Sequence, residues 1–262
     1  MSLGIKILVS ILAGLGAGVG TGFAGMSAAA VISPMLIIFL GIPAYHAVGI
    51  ALASDVLASA ISAASYGKNK KIDLNNGSIM MFVVLIFTVI GSWCGNFVPD
   101  QEMGVISLIM MLILGVKFLA KPIMAPKESF EHRSRKKMIV FSVLCGIVVG
   151  FVCGFVGAGG GMMMLLVLTV FLGYELKTAV GTSVFIMTFT ALTGSASHFA
   201  IGGVPDLACL ITCVLSTFGF AWFSARIANK ADPKLLNRIV GVVLLVIGVV
   251  MLTFKVITYF IS

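Results

Sequence analysis

Slid against itself by 132 residues, the chain matches: Gly14 to Ser54 overlays Gly146 to Ile186 without a gap, with 12 identities in 41 positions. The shared residues are structural punctuation as well as generic apolar ones. Gly22-Phe23-x-Gly25 falls on Gly154-Phe155-x-Gly157, Phe39-Leu40-Gly41 on Phe171-Leu172-Gly173, and Ala47-Val48-Gly49 on Ala179-Val180-Gly181. Fixed punctuation at a fixed offset marks one structural unit used twice. The expected organisation is therefore a repeat at 1-120, a basic linker at 121-137 and a second repeat at 138-262.

Each repeat reads as five hydrophobic segments, near 5-23, 28-40, 46-66, 78-96 and 103-120, then 138-156, 161-172, 177-200, 206-226 and 235-258. With 60% hydrophobic and 10% charged residues and a mean hydropathy of +1.18, these segments leave no room for a soluble domain. The fold class expected is an all-α integral membrane protein. In each set the second segment is short. Such a helix reaches roughly 20 Å at about 1.5 Å per residue, against roughly 30 Å of hydrocarbon, so 28-40 and 161-172 are expected to be broken helices. Pro34 supports a break in the first of them. Lys6 followed by Ile7 to Val19 has the charge and length of a signal peptide. Because this stretch leads into the repeat, it is expected to stay as the first membrane helix.

The formal charge of +8 is concentrated in loops and does not form one basic face, which argues for topology signals and against nucleic acid. Lys68, Lys70 and Lys71 lie in 67-77; Lys121, Lys127, Arg133, Arg135, Lys136 and Lys137 in the linker; Arg226, Lys230, Lys234 and Arg238 in 226-238. Positive loops stay cytoplasmic. Loops 97-102 and 201-206 hold only acids (Asp100, Glu102, Asp206) and are expected outside. Equivalent loops then fall on opposite sides, which requires an odd number of crossings per repeat, inverted topology and two external termini. Lys6 alone points the other way.

The segment Gly154-Phe155-Val156-Gly157-Ala158-Gly159-Gly160-Gly161 has five glycines in eight residues at membrane depth. Each glycine costs about 1 kcal/mol in a helix interior, and irregular backbone survives in a bilayer only when buried or lining a cavity. A helix restarting after such a break offers free N-H groups and a positive dipole end, which suits an anion; close helix packing is the other use of small residues. Its counterpart, Gly22-Phe23-Ala24-Gly25-Met26-Ser27-Ala28-Ala29-Ala30, keeps the first glycines and adds Ser27, whose hydroxyl can bind a ligand or cap the short helix.

Thr182 and Ser183, early in 177-200, can face the same cavity or bond back to their own helix. Asp55 is the one acid near the centre of a hydrophobic segment, and its repeat equivalent is Met187. A carboxyl there either carries a coupling proton or bonds a neighbouring helix. His46 and His198 sit near segment ends, where interfacial rings are ordinary, and Lys117 and Lys255 can snorkel. Met162-Met163-Met164 hints at a soft metal, but without a His/Cys pair nearby packing explains it better. Cys94, Cys145, Cys153, Cys209 and Cys213 lie in apolar stretches without a CxxC pair and read as small packing residues, so no metal site or cofactor is expected. No HExxH, GxSxG or twin-carboxylate pattern occurs, which argues against an enzyme.

The GxxGxGGG stretch, a short helix, then Leu-Gly, a few polar residues and Ala-Val-Gly-Thr-Ser, given twice, resembles the TauE/SafE sulfite exporter family over essentially the whole chain. The second copy matches better, with Gly157-Ala158-Gly159-Gly160-Gly161 and Ala179-Val180-Gly181-Thr182-Ser183; the first has Met26-Ser27-Ala28-Ala29 and Ile50-Ala51 instead. The resemblance implies an inner-membrane permease for small anions such as sulfite or organosulfonates. The expected site is then Gly25, Ser27, Gly157, Gly159, Gly160, Gly161, Thr182 and Ser183, with Asp55 for coupling. The expected partners are a small inorganic or organosulfur anion and the bilayer, with a homodimer left open. The alternative reading is a soft-metal or cation permease using Met, His and Asp55.

Overall fold

The computed structural model describes residues 2–120, 135–157, 160–228 and 232–261. Most of the basic linker, Gly159 and Lys230 lie outside the described residues. The elements are helices in chain order: α1 (Leu3–Ala24), α2 (Ala29–Leu40), α3 (Ala44–Lys68), α4 (Leu74–Gly95), α5 (Asp100–Ala120), α6 (Arg135–Val156), α7 (Gly160–Leu166), α8 (Leu176–Gly202), α9 (Leu207–Ala228) and α10 (Pro233–Ile261). A π-helical turn, Val167–Phe171, continues α7. The all-α membrane fold expected from the sequence holds, and the ten hydrophobic segments correspond one to one with these helices. Six of them are long and apolar enough to cross a membrane. The chain is a multi-pass membrane protein.

Large apolar side chains such as Phe82, Trp93, Phe97, Leu215 and Phe223 stand exposed around the outside, while the interior is built from small residues. That inversion of the soluble pattern follows from the solvent. Lipid is as apolar as leucine, so helices associate through close packing of small side chains. Gly14, Gly18 and Gly22 of α1 lie against Ser216, Phe220 and Ser224 of α9. Gly146, Gly150 and Gly154 of α6 lie against Val83, Val84 and Thr88 of α4 in the same way. Serine and threonine hydroxyls reinforce both seams: Ser224 Oγ donates to the Gly18 carbonyl at 2.9 Å, and Thr88 Oγ1 to Gly150 at 3.3 Å. Gly154, one of the five clustered glycines, is thus a packing residue.

The bundle has two polar ends. At one, Lys6 Nζ lies 2.5 Å from Asp206 Oδ2, and Asp100 accepts the Ala44 N–H at 2.6 Å. At the other, beyond the length of α3, Lys71 pairs with Glu175 at 2.9 Å and Tyr174 donates to Asp73 Oδ2 at 2.7 Å. Lys6, the one cation at odds with the expected topology, is thus paired with an acid of its own face. Aromatic side chains mark both rims, with Trp93 edge-on to Phe97 near the first and Arg226 over the Trp222 ring near the second. Helix α9 starts at the first end and α4 at the second. Since α1 runs alongside α9 in the same sense, and α6 alongside α4, α1 and α6 cross the bundle in opposite directions.

Backbone specials recur at the repeat offset. Gly25 (φ 62°) and Gly157 (φ 71°) end α1 and α6 in the left-handed region, and Gly41 (φ 61°) and Gly173 (φ 71°) close the two short helices. The closing bonds match too, Ile42 N–H to Leu36 at 3.3 Å and Tyr174 N–H to Leu168 at 2.8 Å. Only glycine takes this conformation without strain, which is why these four letters survive in both copies. The short second segments are short helices after a break, as expected. They differ in how they bend: α2 contains Pro34, whereas the second copy inserts the π turn.

Candidate functional site

The two breaks meet. Ser27 Oγ donates to the Gly157 carbonyl at 3.2 Å, so the first break is bonded directly to the second. A Cβ built on Gly161 would lie 2.7 Å from both the Gly25 carbonyl oxygen and the Ser27 nitrogen. One built on Gly157 would lie 2.8 Å from Val48 Cγ1 and 3.2 Å from Ala29 Cβ. Backbone touches backbone here because neither chain carries a side chain large enough to hold them apart. Met26, Ser27, Ala28, Ala29 and Ala30 are all essentially inaccessible.

Ser27 both caps and bridges. Its hydroxyl accepts the Ala29 N–H at 3.3 Å while its one proton goes to Gly157. Ser183 stands beside Gly25, where an added Cβ would come within 2.7 Å of its Oγ, and it donates to its own helix at Val180, 2.9 Å away. Gly160 packs on Cys153, with Sγ 2.8 Å from where its Cβ would be. Gly25, Ser27, Gly157, Gly160, Gly161 and Ser183 therefore form one cluster. Thr182 stands apart. Its hydroxyl accepts the Asp73 N–H at 3.0 Å, tying α8 to the loop before α4.

Asp55 faces this cluster. It is the twelfth of the 25 residues of α3 and is completely buried. The groups acting on its carboxyl are the Ser27 hydroxyl and the Ala28 N–H, yet neither oxygen completes a hydrogen bond. Cys153 lies close enough to feel its charge.

Sequence reasoning placed His198 at an interface, whereas the ring is 1% exposed. Its Nδ1 lies 3.2 Å from the Tyr45 carbonyl and its Nε2 3.0 Å from the Gly154 carbonyl, and it stacks on Tyr45 with centroids 4.1 Å apart. Both partners are acceptors, so a neutral ring donates to one of them at a time, from Nδ1 or from Nε2 according to its tautomer. The burial follows from α8 continuing past it to Gly202 and from acceptors supplied by α3 and α6. Tyr66, which the sequence reading missed, sits 132 residues before His198 and reaches the carbonyl of Gly22, the equivalent of Gly154, at 3.4 Å. The repeat offset was the signal that could have found it. Met164 is buried packing, and among the described residues no group of three His, Cys, Asp or Glu side chains converges as metal ligands.

The sequence matches the family described as Sulfite exporter TauE/SafE over residues 10–251. Similar proteins include Probable membrane transporter protein YunE of Bacillus subtilis, 25% identical over 93% of this chain and 96% of its own length. Another is Probable membrane transporter protein MJ0441 of Methanocaldococcus jannaschii, 28% identical over 95% and 93% of the two chains. The Escherichia coli K12 protein named Probable membrane transporter protein YfcA is 25% identical over 78% and 77%. No solved structure matches.

Proposed function

Because the chain belongs to the sulfite exporter TauE/SafE family of membrane transporters, we propose that it is a secondary transporter of small oxyanions, of the sulfite or organosulfonate class, which bind where the two helix breaks meet. The observation that carries this reading is the direct contact of the breaks, Ser27 to Gly157 and Gly161 to Gly25–Ser27, in the interior of the bundle. Two restarting helices there bring amide N–H groups and positive dipole ends together without any cationic side chain. Gly157, Gly159, Gly160 and Gly161 would let an anion approach the backbone, with Ser27, Gly25 and Ser183 on the facing side; Thr182 would hold the loop that frames α8.

The opposite directions of α1 and α6 support an inverted-topology pair, with the basic loops cytoplasmic and loops 97-102 and 201-206 outside. Rocking one repeat against the other around the meeting point would then expose the anion to either side in turn. The repeated left-handed glycines supply matching hinges. The test is counterflow in proteoliposomes: protein preloaded with unlabelled sulfite should accumulate external radiolabelled sulfite, and empty liposomes should not. Absence of counterflow with both sulfite and methanesulfonate would overturn the reading.

A further inference from the structure

We infer that Asp55 is a proton site built into the anion's own pocket, so that one proton enters the protein with each anion. This deepens the anion-transport reading above and rests on it.

Asp55 stands in the middle of α3 and touches no solvent. The hydroxyl facing it has one proton to give, and Ser27 has already given it to Gly157. What is left is the Ala28 N–H, and neither carboxylate oxygen is bonded. No ion pair reaches Asp55 among the described residues. From α6 the facing titratable group is the Cys153 thiol. The other elements packed against α3 contribute Lys6 from α1, Asp100, Glu102 and Lys117 from α5, Lys177 and His198 from α8, and Cys209, Cys213 and Arg226 from α9; all but Cys213 lie within four residues of a helix end. A buried carboxylate that faces one backbone N–H and completes no hydrogen bond is heavily penalised, and here it stands at the N-terminus of α2, the place an anion would take in the first repeat.

The second repeat is built the other way. Met187 replaces the acid, and Gly160 and Gly161 replace Ala28 and Ala29. That leaves the second break as the seat for a solute anion, one hydrogen bond away through Ser27 and Gly157. Two unit negative charges about 4 Å apart at the effective dielectric of a protein oppose each other by about a thousandfold in affinity. Protonating Asp55 removes that opposition. The step is a simple acid–base one: a proton from water forms an O–H bond on one Asp55 oxygen, no electrons move, and the new hydroxyl becomes a donor where the pocket lacked one. Anion and proton then occupy the protein together and leave together.

Proteoliposomes and radiolabelled methanesulfonate test this, because a sulfonate stays ionised and carries no proton of its own. Wild type should take up about one proton per sulfonate, read with a pH dye, and its exchange should weaken about tenfold per pH unit on the alkaline side. Asp55→Asn should exchange sulfonate independently of pH and move no proton; Asp55→Glu should keep coupling. A protonated-carboxyl infrared band in the anion-bound wild type, absent from Asp55→Asn, is the second readout and needs only detergent-purified protein. PH-independent exchange without proton uptake in the wild type would overturn the proton site while leaving the anion reading intact. No exchange of either sulfite or methanesulfonate by folded wild type would overturn both.

Discussion

The two helix breaks share a backbone plan and differ in what fills it. Both begin with a left-handed glycine after a long helix, both are followed by a short helix closed by another left-handed glycine, and both sit against the same pair of central helices. In the first, Met26-Ser27-Ala28-Ala29 supplies side chains and Asp55 points a carboxyl at the restarting helix. In the second, the corresponding positions hold an alanine and three glycines, and Met187 stands where the acid would be. Duplication thus accounts for the geometry, and divergence for the chemistry: one break carries its own carboxyl, the other is bare backbone. A symmetric pair would leave either two repelling carboxylates or no titratable group at the centre.

The most severe way to break this asymmetry is to restore it. Met187→Asp places a second carboxyl at the repeat equivalent of Asp55 and, at a pH where that carboxyl is ionised, should depress sulfite affinity by about a thousandfold, whereas Met187→Asn should retain most of it. Isothermal titration of both variants makes the comparison, and wild-type affinity in Met187→Asp would remove the second break as the anion's seat.

Gly161→Ala comes next. Its Cβ would stand 2.7 Å from two backbone atoms that cannot turn away, so the loss should lie near the upper end of overpacking, about 3 kcal/mol, with exchange lost in parallel. The reverse change at the equivalent site, Ala29→Gly, should cost only about 1 kcal/mol. Thermal unfolding in detergent compares the pair; equal small losses would mean the breaks can separate freely.

A third comparison concerns the polar rings 132 residues apart. His198→Phe removes the ring donor shared by the Tyr45 and Gly154 carbonyls and should destabilise by about 2 kcal/mol, since an unmet buried acceptor costs about 1–3 kcal/mol. Tyr66→Phe gives up one long bond and should cost about 1 kcal/mol. Similar losses in the two would show that the second acceptor of His198 carries no energy.

The smallest effect belongs to the polar ends. The Lys6 ammonium bonded to Asp206 holds that carboxyl below its ordinary range. Its contribution is complete above the ordinary carboxylate range and is lost as pH falls through the lowered native value. Asp206→Asn should flatten that acid limb of the stability profile without touching exchange at neutral pH. An unchanged acid limb would show that the pair adds nothing to folding.

Much of the fold was readable because the bilayer leaves few options. Ten apolar segments must become helices, and Gly25, Gly41, Gly157 and Gly173 had to be glycine in both copies because the chain turns left-handed at each. Six of the eight expected site residues meet or adjoin, because the breaks that hold them are themselves in contact. Thr182 does not, and nothing in its local sequence reveals that its hydroxyl would find the Asp73 amide a hundred residues away. His198 was misplaced for the same reason: periodicity tells which residues share a face, but not which carbonyls of α3 and α6 would be waiting there. The packing role of Gly154 came from the spacing Gly146, Gly150, Gly154, which only the position of α4 makes meaningful.

The central claim, an oxyanion held on bare backbone at the second break, is tested most directly by anomalous diffraction from crystals grown with selenite, a sulfite analogue visible at the selenium edge. The account predicts a single strong selenium peak within hydrogen-bond reach of the Gly160 and Gly161 amides and close to Ser27. A peak at the cationic loop 67-77 or along Met162–Met164, with none between the breaks, would contradict it.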